Sequence, residues 1–153
     1  EQMHQGLAAS RPAGGEVGRP YFLTLLADAY GAVAQADTGL SLLTEARTIM
    51  DQSGQRFVDA ECHRIEGELR LHQTEPDASQ AARYFQQALD IARQQQARSL
   101  ELRAAMSLAR LWQQQDKRQD AYDLLAPVYE WFTEGFDTAD LKEAKVLLDE
   151  LEK

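Results

Sequence analysis

Cysteine is nearly absent from this sequence, and long apolar segments are absent altogether. Cys62 is the single cysteine among 153 residues, so no disulfide can form within the chain. Such sparse cysteine is typical of proteins from a reducing compartment, and we expect a cytoplasmic location. No uninterrupted apolar run approaches the roughly 20 residues that a membrane-spanning helix requires. The sequence therefore predicts neither a disulfide framework nor a transmembrane segment.

Basic residues are also scarce. Lys and Arg number 16 against 25 Asp and Glu, which gives a formal net charge of −9 and a pI near 4.8. A surface of this sign repels phosphate groups and anionic lipids. We therefore expect that the partners of this protein are neither nucleic acids nor membranes.

Strand patterns are missing as well, because nowhere do β-branched and aromatic residues alternate with polar ones. Segments rich in Ala, Leu, Gln, Glu and Arg show helical spacing instead. Pro20 is placed to begin a helix and Gly54 to end one. The predicted helices are residues 2–10, 20–34, 38–53, 58–73, 78–96, 99–115, 118–133 and 139–152. The sequence predicts an all-α fold of about eight helices, joined as antiparallel helical hairpins.

Small residues recur in these helices at intervals of about forty positions. The first helices of successive pairs carry Ala27, Gly67 and Ala109 at equivalent places. The second helices carry matching sets, which are Gly39, Leu43 and Ala46, then Ala81, Phe85 and Ala88, then Ala121, Leu125 and Val128. Small side chains are needed where two helix axes cross closely, and the larger residue can fill the space toward the next hairpin. The pattern predicts stacked units that share one continuous core.

The last stretch of the sequence predicts a helix that closes this stack. The Trp131–Phe132 pair is expected to end the preceding helix, with Gly135 in the left-handed conformation and Phe136 folded back on the final turn. Asp137 or Thr138 is expected to cap the next helix. The apolar stripe of that helix consists of Leu141, Ala144, Leu147, Leu148 and Leu151. One face is therefore predicted to pack on the preceding hairpin while the other faces water.

These features predict a single repeat domain over residues 1–153. Its parts are a partial repeat with a linker (1–19), three repeats (20–56, 57–98 and 99–136) and the capping helix (137–153). Residues 1–10 are interpreted as the second helix of a hairpin whose first helix precedes Glu1.

The spacing of small, large and aromatic residues resembles that of tetratricopeptide repeats, although the period exceeds their usual length of about 34 residues. The segments "GRPYFLTLLADAY", "SLELRAAMSLARLW" and "AYDLLAPVYEWFTEGFDTADLKEAKVLLDEL" resemble the C-terminal repeat region of bacterial multidomain signalling proteins. Those proteins carry a predicted ATPase module and often a class III adenylate/guanylate cyclase domain. The resemblance implies a right-handed solenoid that serves as a non-catalytic C-terminal scaffold. Two departures are Gln96, where a glycine is expected, and "GAVAQAD", which lacks the usual Gly–Asn/Asp turn.

Residues capable of chemistry are present but poorly arranged. Cys62, His63 and His72 lie near two glutamates, yet a tetrahedral zinc site needs three or four converging ligands, usually with closely spaced Cys or His pairs. The alternative reading is a small buried cysteine with surface histidines. No serine-nucleophile motif occurs, and the glycines of "AGGEVG" lack the Gly-Lys-Ser/Thr ending of a phosphate loop. We expect no catalytic residue, no metal and no cofactor. The aromatic residues Tyr30, Phe85, Trp112 and Trp131 are interpreted as packing residues.

The candidate contact residues are those on the first helices of the hairpins that avoid the core spacing. They are Tyr21, Thr24, Asp28, Arg64, Glu68, Arg103 and Arg110. Arginines among them would suit carboxylate or phosphate partners. In the alternative reading, Asp28, Arg64, Glu68 and Arg110 merely pair across adjacent helices.

Three functional hypotheses follow. The first is a scaffold that binds a protein or peptide, including upstream domains of the same chain. The second is a module that senses a small-molecule effector. The third is self-association into a homo-oligomer through residues 1–19.

Overall fold

The computed structural model describes residues 18–153, which form seven α-helices and contain no strand. The helices are α1 Arg19–Ala32, α2 Ala36–Ser53, α3 Asp59–Leu71, α4 Ala78–Gln94, α5 Arg98–Gln114, α6 Arg118–Glu130 and α7 Ala139–Glu152. The all-α prediction is confirmed. The predicted helix at 2–10 and the self-association hypothesis for 1–19 lie outside, or almost wholly outside, the described residues. Among residues 18–153, no helix combines the length and apolar composition needed to cross a membrane.

Several helix ends follow directly from local sequence. Pro20 lies in the first turn of α1, where a missing backbone N–H costs nothing. Gly54 has φ +76° beyond α2, and its N–H bonds the carbonyl of Met50 at 2.8 Å. Asp77 caps α4, since its carboxylate accepts a hydrogen bond of 2.9 Å from the backbone N–H of Gln80. The predicted ends at Pro20 and Gly54 are confirmed.

Three other helix ends use the left-handed conformation without glycine. Ala34, Gln96 and Asp116 have φ values of +62°, +55° and +61°. In each turn the N–H of the following residue bonds a carbonyl five positions earlier: Gln35 to Tyr30 at 2.9 Å, Ala97 to Ala92 at 2.9 Å and Lys117 to Trp112 at 2.8 Å. This is the Schellman arrangement. The turns at "GAVAQAD" and Gln96 are therefore fully formed despite lacking the expected glycine, because backbone hydrogen bonds stabilise them.

The helices pack in a regular order. Each helix contacts the next one along the chain, and α1 also contacts α3, α3 contacts α5, and α5 contacts α7. Within the described residues, the backbones of α2, α4 and α6 come close to those of odd-numbered helices only. The odd-numbered helices thus form a continuous row, while the even-numbered helices approach one another only through side chains.

Small residues lie at the helix crossings, as their spacing predicts. Ala27, Gly67 and Ala109 are all buried. A Cβ atom on Gly67 would lie 2.5 Å from Cε1 of Phe85, and one on Gly39 would lie 2.9 Å from the carbonyl oxygen of Ala27. Distances this short leave no room for a methyl group without movement of the neighbours.

The end of α6 differs from the prediction. The helix ends at Glu130, and the Trp131 side chain is 54% exposed, so its interpretation as a packing residue is wrong. The buried positions Ala121, Leu125 and Val128 continue at the helical spacing to Phe132, which packs against the core. Trp131 lies beside that line, and the guanidinium of Arg98 lies 4.8 Å from its ring centroid.

The final helix is built as its sequence predicts. Gly135 has φ +79°, and the ring of Phe136 packs against Tyr129 with 5.8 Å between centroids. Thr138 occupies the N-cap position of α7, but its side chain forms no capping hydrogen bond, so the predicted side-chain cap is not formed. The predicted apolar stripe, consisting of Leu141, Ala144, Leu147, Leu148 and Leu151, is buried. It joins a core cluster shared with residues of α5 and α6, such as Leu102 and Leu125.

Candidate binding cleft

A cleft of about 460 Å³ lies where the first three odd-numbered helices meet. Helix α1 contributes Leu25, Asp28, Ala29, Gly31 and Ala32, helix α3 contributes Arg64, Glu68, Leu69 and His72, and α5 contributes Arg103. Four of the seven predicted contact residues are in this set: Asp28, Arg64, Glu68 and Arg103. These four are all of the Asp, Glu, Lys and Arg residues that line the cleft.

Apolar and small side chains form one part of the lining. Leu25, Ala29 and Ala32 supply hydrocarbon surface, and the buried Leu69 lies behind them. A Cβ atom on Gly31 would lie 2.6 Å from Cδ2 of Leu69, so α1 and α3 cross closely at this point. Because the side chains of Ala29 and Ala32 are short, the space beside this crossing stays open.

A polar network forms the other part of the lining. The Nε atom of Arg64 donates a hydrogen bond to Oε1 of Glu61, and its Nη1 atom lies 3.8 Å from Oε1 of Glu68. Ser107 on α5 donates a hydrogen bond of 2.8 Å to the same oxygen of Glu68, and accepts one of 3.4 Å from Nη1 of Arg64. These contacts link α3 to α5.

Arg103 extends the network toward the final helix. Its Nη1 atom forms an ion pair with Oε2 of Glu61, and its Nε atom lies 3.7 Å from Oδ2 of Asp140. One arginine on α5 thus bridges carboxylates on α3 and at the start of α7. Glu61 pairs with both Arg64 and Arg103, so it is the central carboxylate of the network.

The environment keeps Arg64 charged. Burial disfavours its charged form and acts to lower the pKa of Arg64, but the carboxylates of Glu61, Glu68 and Asp28 outweigh burial and raise it. Asp28 itself is exposed, and no described residue forms a hydrogen bond or ion pair with its carboxylate. Its effect on Arg64 acts through space.

Thr24 was wrongly predicted as a contact residue. Only 2% of its surface is exposed, and its hydroxyl donates a hydrogen bond of 2.7 Å to the carbonyl of Pro20. Pro20, Thr24 and Ala27 follow one another at helical spacing and form a buried face of α1. Arg64 is also nearly buried, so it shapes the cleft rather than extending from it.

The remaining predicted residues lie away from the cleft. Tyr21 is exposed on α1, at helical spacing from Leu25, and its ring contacts Phe22 with 5.9 Å between centroids. Arg110 pairs with Glu143 of α7 at 3.2 Å. Ion pairing across helices, the alternative reading for Asp28, Arg64, Glu68 and Arg110, is therefore observed for Arg110. Arg64 instead forms its ion pairs with Glu61 and Glu68 of its own helix.

A second polar cluster was missed by sequence reasoning. Glu66 of α3 has a side chain only 5% exposed and forms ion pairs with Arg47 of α2 and with Arg70 at 3.0 Å. The Tyr84 ring of α4 lies 5.9 Å from both guanidinium groups. Burial acts to raise the pKa of Glu66, but the hydrogen bond from Tyr84 and the two arginines outweigh it and lower the pKa.

Cys62 lies in the apolar core formed by α1, α2 and α3. Burial raises the pKa of its thiol to about 11. The Nδ1 atom of His63 lies 2.8 Å from the carbonyl oxygen of Asp59. Within residues 18–153, no group of three His, Cys, Asp or Glu side chains could hold a metal ion.

The described residues thus offer a cleft with apolar and charged walls, built by three helices and by a carboxylate–arginine network. Such a surface can hold a segment of another molecule by packing and ion pairing. No protein-family model matches this chain, and no curated protein is significantly similar to it.

Proposed function

We propose that this chain is a non-catalytic interaction module, which binds a protein or peptide in the cleft between α1, α3 and α5. The observation that carries the proposal is the position of the cleft, which spans three helices that are far apart in sequence. A segment bound there would contact several repeats at once.

The proposal includes the architecture that the sequence predicts, a right-handed solenoid of tetratricopeptide-like antiparallel hairpins with α7 as its cap. Two observations support it. The odd-numbered helices contact one another in a row, as the inner helices of such a stack do. The equivalent positions Leu43, Phe85 and Leu125 are all fully buried, although they are about forty residues apart.

The resemblance of the sequence to C-terminal repeat regions supports a wider context. We propose that the module belongs to a larger bacterial signalling protein of the cytoplasm, with ATPase and nucleotide cyclase domains upstream. Its partner would be another protein or those upstream domains. Binding alters their activity only if it favours one arrangement of the helices over another.

Occlusion of the cleft tests the proposal. Random 12-residue peptides displayed on phage are selected on the immobilised chain, and the dissociation constants of synthetic copies are measured by calorimetry. Ala32→Trp places a bulky side chain at the exposed end of α1 that lines the cleft. We expect it to weaken binding at least about tenfold, since the peptide loses its contact surface.

Thr48→Trp is the matched control, because Thr48 is exposed on α2, away from the cleft. The Thr48→Trp variant should bind the selected peptides with the same affinity as the unmodified chain. Selected peptides that bind both tryptophan variants equally well would show that the cleft is not the binding surface. Failure to select any peptide that depends on the cleft would contradict the proposed function.

A small-molecule effector is the second candidate, since the cleft volume of about 460 Å³ lies in the range of ligand pockets. A thermal-shift screen with metabolites tests it. A ligand present at 100 times its dissociation constant adds about 2.7 kcal/mol of stability, which raises the melting temperature. Ala32→Trp should abolish that shift, and a shift unaffected by Ala32→Trp would exclude this cleft.

A further inference from the structure

We propose that the segment bound in this cleft is a peptide that presents a lysine or arginine side chain. The inference rests on the proposed function and specifies the chemistry of its partner. It departs from the expectation that the arginines of this face bind carboxylate or phosphate groups. The observations that carry it are the pairing of those arginines, the carboxylate of Asp28, which no described residue pairs, and the apolar wall of the cleft.

The arginines that line the cleft are already engaged. Arg64 donates to Glu61 and lies 3.8 Å from Glu68, while Arg103 pairs with Glu61 and Asp140. An anionic ligand would have to displace one of these carboxylates and would meet the others at short range. Like charges brought together in this way oppose binding.

Negative charge exceeds positive charge in the network behind the cleft. Asp28 and Glu68 line the cleft together with Arg64 and Arg103, and these four charges cancel when His72, which also lines the cleft, is counted as neutral. Glu61 and Asp140, which pair with the arginines but lie outside the lining, bring the formal charge of the network to −2. A cationic group entering the cleft would compensate this surplus, and the net charge of −9 on the whole chain acts in the same direction.

Two carboxylates are placed to receive that group. Asp28 is exposed on α1 and has no hydrogen bond or ion pair with any described residue. Glu68 on α3 faces the same cleft, and the nearest atom of its arginine neighbour lies 3.8 Å away, beyond hydrogen-bonding distance. Both oxygens of Asp28, and the Glu68 oxygen not bonded to Ser107, remain available as acceptors.

The apolar wall fits the rest of such a side chain. Lysine and arginine carry hydrocarbon stems that lie along apolar surfaces while their charged ends reach polar groups. Leu25, Ala29 and Ala32 supply that surface beside Asp28 and Glu68. An acidic side chain is too short to use this wall and would place its charge against two carboxylates.

The experiment starts from the peptides selected on the unmodified chain. Peptides that also bind the Ala32→Trp variant are removed, so that only those that bind in the cleft remain. We expect these peptides to share a lysine or arginine, and replacement of that residue by glutamine to weaken binding about tenfold. Asp28→Asn and Glu68→Gln should each weaken binding about threefold, and the double variant about tenfold, because exposed ion pairs contribute modestly. Asp90→Asn is the control, since it removes the same charge from α4, away from the cleft.

Charge exchange provides the sharpest readout. Asp28→Lys should weaken the binding of a peptide that carries a basic residue. A peptide with glutamate in place of that basic residue should bind the Asp28→Lys variant better than it binds the unmodified chain. Circular dichroism and melting temperature show whether each variant is folded. Cleft-dependent peptides that lack a basic residue, or whose affinity is unchanged in the double variant, would overturn this inference and leave the proposed function intact. Absence of any cleft-dependent peptide would instead contradict the proposed function.

Discussion

Gly67 of α3 and the Phe85 ring of α4 are in direct contact, so close that a Cβ atom on Gly67 would lie 2.5 Å from Cε1 and 2.7 Å from Cδ1 of the ring. Phe85 is fully buried. The ring therefore occupies the space that a side chain at position 67 would need. This contact fixes how closely α3 and α4 approach each other.

Gly67→Ala should lower the free energy of unfolding by about 1–3 kcal/mol, because the added methyl group overpacks the crossing. The higher helix propensity of alanine, about 1 kcal/mol, opposes this loss but does not remove the clash. Urea unfolding measures the change. In a Phe85→Leu background the same substitution should cost less, since the smaller side chain leaves room. An equal or larger cost in that background would contradict the contact.

Gln96→Gly should stabilise the protein by about 0.5–1 kcal/mol, because glycine adopts the left-handed conformation without a steric penalty. Gln95→Gly is the matched control: residue 95 has φ −83°, so glycine brings no relief there and only increases the freedom of the unfolded chain. The thermal and urea unfolding midpoints should rise for Gln96→Gly and fall for Gln95→Gly. If both substitutions lower the midpoints, residue 96 is not in the left-handed conformation.

Glu66→Gln should destabilise the protein by about 1–3 kcal/mol, because two arginines lose their shared carboxylate in a buried site. Tyr84→Phe removes only one hydrogen bond from the same cluster and should cost less. Urea unfolding at neutral pH compares the two. An effect of Glu66→Gln near zero would show that the cluster does not contribute to stability.

The same carboxylate predicts a dependence on pH. The folded state lowers the pKa of Glu66 below its ordinary value of 4.5, so its contribution is fully present above pH 4.5 and is lost as pH falls through the lower, folded pKa. The difference in unfolding free energy between the unmodified chain and Glu66→Gln should therefore shrink in this acidic range. A difference that stays constant as the pH is lowered well below 4.5 would contradict the assignment.

Cys62 should resist thiol reagents while the protein is folded. Its side chain is fully buried, so reagents cannot reach the sulfur atom. Its pKa is raised to about 11, so at pH 8 very little of the thiol is in the reactive thiolate form. Labelling by iodoacetamide, followed by mass spectrometry, should accelerate in urea in parallel with unfolding. Ser79→Cys, at an exposed position of α4, supplies a reactive control within the same chain. Rapid labelling of Cys62 in the native state would contradict its burial.

The positions of the described helices follow from local signals. Pro20 and Gly54 act on their own segments of backbone, and the apolar stripe of α7 repeats at the helical period. The burial of Ala27, Gly67 and Ala109 was also predictable, since recurrence at a fixed interval indicates equivalent environments. These features depend on residues that are close in sequence or that repeat regularly.

Other features depend on which helices become neighbours. Helical spacing alone did not separate Thr24, which is buried, from Asp28, which is exposed. Trp131 was interpreted as a packing residue from its helical spacing, but the face of α6 that packs inward continues to Phe132 instead. The Glu66 cluster joins Arg47 to Tyr84 across three helices, and no local pattern indicates it.

The sequence by itself determined that the described part of this chain is helical, and it placed the ends of those helices to within a few residues. It also determined which small residues meet at helix crossings. Both follow because backbone hydrogen bonding and periodic burial act over short stretches of chain. Only the tertiary structure decided that Arg64 and Arg103 are paired, that no described residue pairs with Asp28, and that α1, α3 and α5 enclose one cleft. A charge has its effect through whatever lies within a few ångströms of it, and those neighbours come from distant parts of the sequence.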